Sequence, residues 1–96
     1  MEKRHDDLLT SRLEEIYTKG VTYISWNELY LWYDVQAIAA RTYRDLVNRW
    51  DNLSSGWTKQ DGTELGDLVF IRSPSKVNTG MFLFGANMPA EFVREP

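Results

Sequence analysis

Apolar residues recur at helical spacing through the first half of the chain and lose that spacing beyond Gly56. A helical part must therefore be followed by an extended one. Leu9, Leu13 and Ile16 stand four and three residues apart, with Leu8 and Tyr17 widening the stripe. Asp6 or Asp7 can cap the start, Lys19 suits the negative end and Gly20 supplies the stop, which predicts a helix over 7–19. Val21, Thr22, Tyr23 and Ile24 are β-branched and aromatic, so they make a very short extended piece at most. Ser25 followed three residues later by Glu28 is the Ser-x-x-Glu capping box. The short helix it opens is apolar nearly all round, with Trp26, Leu29, Tyr30, Leu31, Trp32 and Tyr33. After Asp34 and Val35 a third helix is predicted over 36–52. In it Ala39, Tyr43, Leu46, Trp50 and Leu53 form the stripe, and Ala40 and Val47 broaden it.

The second half reads as strands. Residues 57–59 are a possible short strand before the turn signal Gln60-Asp61-Gly62-Thr63. Strands are expected over 67–72 and 81–84, joined by a polar loop over 73–80, and 89–96 is read as a tail. The chain has 96 residues, 43% of them hydrophobic. A length of that order buries roughly 60–68% of its unfolded surface, so a single domain over 1–96 is expected, with 1–6 as a flexible N-terminus. The expected fold class is α+β: three helices, then a two- or three-stranded antiparallel sheet. No cysteine is present, which excludes disulfides, thiolate metal sites and cysteine nucleophiles. No apolar signal core or stretch near the roughly 20 residues of a bilayer span is visible, so an intracellular, cytoplasmic protein with no membrane partner is expected.

The element order, and residues 24–50 in particular, resemble the winged helix-turn-helix architecture of DNA-binding proteins. Leu29 and Trp32 or Tyr33 occupy the inner face of the first helix of the motif. Asp34 stands at the turn, a position that needs left-handed backbone and tolerates Asp. Val35 is the apolar residue that plugs the turn, and Ala40 is the small residue that lets the helices approach. The sequence departs from the pattern in lacking a turn glycine and in having Gln36 where Ser or Thr often caps the second helix. The likeness is to an architecture, not to one family within it. It implies a recognition helix over 36–52 and a wing over 73–80.

Charge follows the same division. The chain carries 11 Lys plus Arg against 14 Asp plus Glu, a net −3, which argues against bulk electrostatic binding of nucleic acid. Residues 35–50 nevertheless hold Arg41, Arg44 and Arg49 against Asp45, and 71–80 hold Arg72 and Lys76 with no acid. The positive charge is thus gathered on the two segments that the resemblance assigns to DNA. The implied partner is duplex DNA, and the implied function is that of a small transcriptional regulator. Gln36, Ala37, Arg41, Thr42, Arg44 and Arg49 would face the major groove, and Arg72, Lys76 and Asn78 the backbone.

A competing expectation comes from the aromatic residues of the second helix. One short helix cannot bury them all, so Trp26, Tyr30, Trp32 and Tyr33 are expected to include a partner interface. The partner would be a second copy in a homodimer or another protein, the latter making the chain an interaction module, inhibitor or adaptor. Catalysis is not expected. His5 is the sole histidine and falls in the expected N-terminal flexible stretch, so no credible general base is present. No phosphate-cradling glycine pattern, metal-ligand set or cofactor is implied.

Overall fold

The computed structural model describes residues 1–59, 62–73 and 78–88. Its elements run α1 (Lys3–Lys19), β1 (Thr22–Ser25), α2 (Trp26–Tyr33), α3 (Ala40–Ser54), β2 (Leu68–Arg72) and β3 (Gly80–Gly85). The fold is α+β, with three helices and a three-stranded antiparallel sheet of order β1-β3-β2. Among the described residues no helix is long and apolar enough to cross a membrane.

Local chemistry accounts for most of the boundaries. Gly20 closes α1 at φ 92°, donating its N–H to the Ile16 carbonyl. The capping box forms at α2: the Ser25 hydroxyl accepts from the Glu28 N–H, and the Glu28 carboxylate accepts from the Ser25 N–H at 3.0 Å. Asp34 ends α2 at φ 54° and ψ 51°, the left-handed conformation that its place in the turn requires.

Two starts differ from the sequence reading. α1 begins at Lys3, not residue 7, and His5 is buried on it, so 3–6 are helical and not a flexible stretch. α3 begins at Ala40, not Gln36. The Val35 N–H closes α2 by donating to the Tyr30 carbonyl, and Ile38 packs against the core. Ile38 is thereby anchored to the core before the chain winds again, while Gln36, Ala37 and Ala39 stay exposed. The carbonyl of Ala39 accepts the first helical bond from Thr42, and no side chain caps this end. Ala40 is exposed, so it is not the small residue at the helix crossing.

The core is built from Leu9, Leu13 and Ile16 of α1, Leu29 and Trp32 of α2, and Leu46 and Trp50 of α3. The sheet adds Ile24, Leu68, Met81 and Leu83. Strand alternation puts Phe70 and Arg72 on this inner side, while Tyr23, Ile71 and Phe82 lie on the outer side. Ile71 is 50% exposed and Phe82 39%. A Cβ on Gly80 would stand 2.3 Å from the Ile24 carbonyl, so β1 and β3 approach closely only because residue 80 has no side chain. The expected strand at 57–59 is reduced to a single bridge between Thr58 and Glu64.

The helices are tied to one another by buried or half-buried polar groups. Arg12 of α1 donates to the Tyr23 carbonyl at 2.9 Å and forms an ion pair with Glu28 of α2. Its guanidinium also lies 5.6 Å from the centre of the Trp32 ring. Trp50, fully buried, donates its indole N–H to the Gly66 carbonyl at 3.0 Å and meets Trp57 edge-on. Trp50→Ala is expected to cost about 3–5 kcal/mol through lost burial and an unfilled cavity. A urea unfolding midpoint that scarcely moves would contradict this role for Trp50.

Candidate nucleic-acid interface

The outer face of α3 carries Arg41, Arg44 and Asn48, all exposed. Three residues of helix separate the two arginines, placing them about 60° apart around the axis. Arg44 and Asn48 are one turn apart on the same side. Arg44 also borders a shallow groove of 250 Å³ with Tyr43, Val47 and Asn48. Gln36 and Ala37 are exposed too, but on the segment that leads into α3 and not on the helix.

Two of the expected contacts face the other way. Thr42 is buried beside the core, because it falls on the same side of α3 as Leu46. Arg49 is turned inward and held by carboxylates from two helices. Its Nε donates to Asp45 at 2.7 Å and its Nη1 pairs with Asp6 of α1. Burial opposes the Arg49 charge, but the bonds to Asp45 and Asp6 outweigh it and hold its pKa above the ordinary value. Asp45 also accepts from the Tyr33 hydroxyl at 2.6 Å. Burial and that bond to Asp45 push the Tyr33 phenol up. Burial works against the Asp45 carboxylate as well, yet the bonds from Tyr33 and Arg49 keep its pKa below the usual carboxylate range.

The arginines therefore sort into two groups. Arg4, Arg12 and Arg49 are ion-paired. Among the described residues Arg41, Arg44 and Arg72 form no ion pair, and all three are exposed. Lys76 lies outside the described residues, as does the tail at 89–96.

The aromatic residues of α2 sort as sharply. Trp32 is core, with 3% of its surface exposed, and so is closed to a partner, while Tyr33 is half-buried with its hydroxyl bonded to Asp45. Helical geometry explains why: Trp32 follows Leu29 by three residues and shares its inward face. Trp26 and Tyr30 are half-buried and line a cleft of 370 Å³ together with Ile38, Tyr43, Arg72 and Asn78. The fold thus brings two of the expected partner-surface residues together with two of the expected backbone contacts. Ile38 and Tyr43 also belong to this cleft; Tyr43 was read from sequence as part of the apolar stripe of the third helix. Only the side-by-side placement of α3 and β2, where Tyr43 meets Phe70 edge-on at 5.2 Å, puts Tyr43 there.

The base of the 73–80 loop is closed by Ser73. Its buried hydroxyl donates to the Gly80 carbonyl at 3.1 Å and accepts from the Thr79 N–H at 3.0 Å. Searches among family models, curated proteins and solved structures find no match to this chain.

Glu15, Glu28 and Asp45 all have pKa values lowered by the fold. For Glu15 the main cause is the hydrogen bond from Thr22. For Glu28, burial opposes the charge and the bonds from Arg12 and Ser25 overcome it. Groups with depressed folded pKa values contribute stability that is present above their unfolded values and lost as pH falls through the folded ones. The ordinary values are 4.5 for Glu and 3.8 for Asp. Stability measured by denaturant unfolding is therefore expected to begin falling below about pH 4.5. In a Glu28→Gln, Asp45→Asn variant the decline should be shallower; an equally steep acid limb would show that these pairs do not govern it.

Proposed function

We propose that this chain is a winged helix-turn-helix protein that binds duplex DNA, acting as a small transcriptional regulator. The observation that carries the reading is the sorting of the arginines. Among the described residues Arg4, Arg12 and Arg49 are ion-paired, while Arg41 and Arg44 stand exposed and without an ion pair on one helix face. The element order, the strand order β1-β3-β2 and the left-handed Asp34 between α2 and α3 support the fold assignment.

In this reading the outer face of α3 enters the major groove. Arg41 and Arg44 suit guanine edges or phosphates, and Asn48, which the sequence pattern did not single out, suits adenine. Gln36 and Ala37 meet the duplex at the start of the helix. The 73–80 loop acts as the wing, with Lys76 as a backbone contact. The acidic remainder of a chain of net charge −3 suppresses non-specific association.

A protein-interaction role is the competing reading, and the exposed Ile71 and Phe82 on the outer side of the sheet favour it. Selection from a random duplex pool separates the two, since an interaction module enriches no sequence. On the selected duplex, Arg41→Ala with Arg44→Ala is expected to lower affinity by at least about tenfold and to flatten its salt dependence. Retained affinity in a folded double variant, or a pool that yields no common sequence, would overturn the assignment.

A further inference from the structure

The cleft beside Trp26 has a chemistry of its own. It opens where the inner side of the sheet continues beyond the core, between α2, the start of α3 and the end of β2. Trp26 and Tyr30 are one turn apart on α2, and Tyr43 stands on the first turn of α3. The Tyr43 ring is braced by Phe70, at an interplanar angle of 85°. On the β3 side, the backbone N–H of Trp26 donates to the Thr79 carbonyl at 2.9 Å. Its indole N–H donates to Asn78 Oδ1 at 3.1 Å.

That last bond fixes the polarity of the cleft. An indole N–H only donates, so it holds the Asn78 amide with its oxygen towards Trp26. The Asn78 Nδ2 hydrogens are then the donors that remain. Arg72, on the inner side of β2 and without an ion pair among the described residues, contributes more donors and a full positive charge. Among the described residues no carboxylate lines the cleft. Flat aromatic walls with a guanidinium and an amide donor at one end suit a flat ring bearing an anionic acceptor. A guanidinium grips a carboxylate through two parallel hydrogen bonds. The cleft is open to solvent, and its volume, 370 Å³, is near the lower end of the roughly 300–1,000 Å³ range of small-molecule sites, which suits a ligand of one or two fused rings.

We infer that the cleft formed by Trp26, Tyr30, Tyr43, Arg72 and Asn78 binds a small planar aromatic carboxylate. The ring lies against the aromatic side chains, and the carboxylate is held by Arg72 and Asn78. This assigns Arg72 and Asn78 to a small ligand in place of the DNA backbone. It does not depend on DNA binding, because neither Arg41 nor Arg44 lines the cleft.

The test is a titration of the full chain with indole-3-carboxylate, followed by nitrogen-edited NMR. The indole N–H resonance of Trp26 is identified by its loss in Trp26→Phe. A saturable shift of that resonance is expected in the wild-type chain. Arg72→Gln should weaken binding by at least about tenfold, as should replacing the probe with neutral indole-3-carboxamide. Arg41→Ala with Arg44→Ala should leave it unchanged, whatever those substitutions do to duplex binding. Absence of a saturable shift into the millimolar range overturns the inference, and so does equal binding of the carboxamide. Should Arg72→Gln lose its dispersed amide spectrum, the carboxamide comparison on the wild-type chain decides the matter alone.

Discussion

Glu28 serves two neighbours, and the arrangement of the first three elements depends on it. Its carboxylate closes the capping box at Ser25 and receives the Arg12 guanidinium from α1. Arg12 in turn holds the carbonyl of Tyr23 in β1 and lies over the Trp32 ring. One half-buried carboxylate thereby fixes where α2 starts and how α1 sits against it. The charge is sustained there because every neighbour of the carboxylate is a donor. Removing Glu28 would take from the half-buried Arg12 its bonded carboxylate as well as the cap of α2, a costlier loss than a missing cap alone.

The same logic operates on the other side of α1, where Arg49 joins Asp45 of its own helix to Asp6. These two arginines, Arg12 and Arg49, orient the helices through their ion pairs. They leave Arg41 and Arg44 without an ion pair on the outer face of α3, where the exposed Asp51 stands two turns beyond Arg44. The net charge of the chain describes its solubility better than it describes that face.

What was legible in the sequence was local. The spacing of Leu9, Leu13 and Ile16, the Ser25–Glu28 box, the left-handed turn at Asp34 and the two main strands all arise from interactions between near neighbours in the chain. What was not legible required distant partners. Arg49 has the appearance of an exposed basic residue until Asp6, 43 positions away, is placed beside it. Trp32 counts as surplus aromatic surface until α1 and α3 close over it. The start of α3 was misread because Ile38, packing on the core, overrides a run of good helix formers. Trp26, Tyr30, Arg72 and Asn78 fell into two separate expectations because no spacing along the chain reveals that they share one cleft.

The closure of the 73–80 loop by the buried Ser73 hydroxyl has a consequence for how such a chain can diversify. Strand pairing between β2 and β3 is completed at Ser73 and Gly80, and Asn78 and Thr79 are tied to Trp26 and Ser73, so the sheet register is set without 74–77. Loop-closure entropy grows only slowly with length, by about 0.6 kcal/mol for each doubling. Sequence and length over 74–77 can drift while register, core and helix placement stay as they are. The base of the loop makes the segment a replaceable part, whose chemistry can be rewritten independently of the domain that presents it.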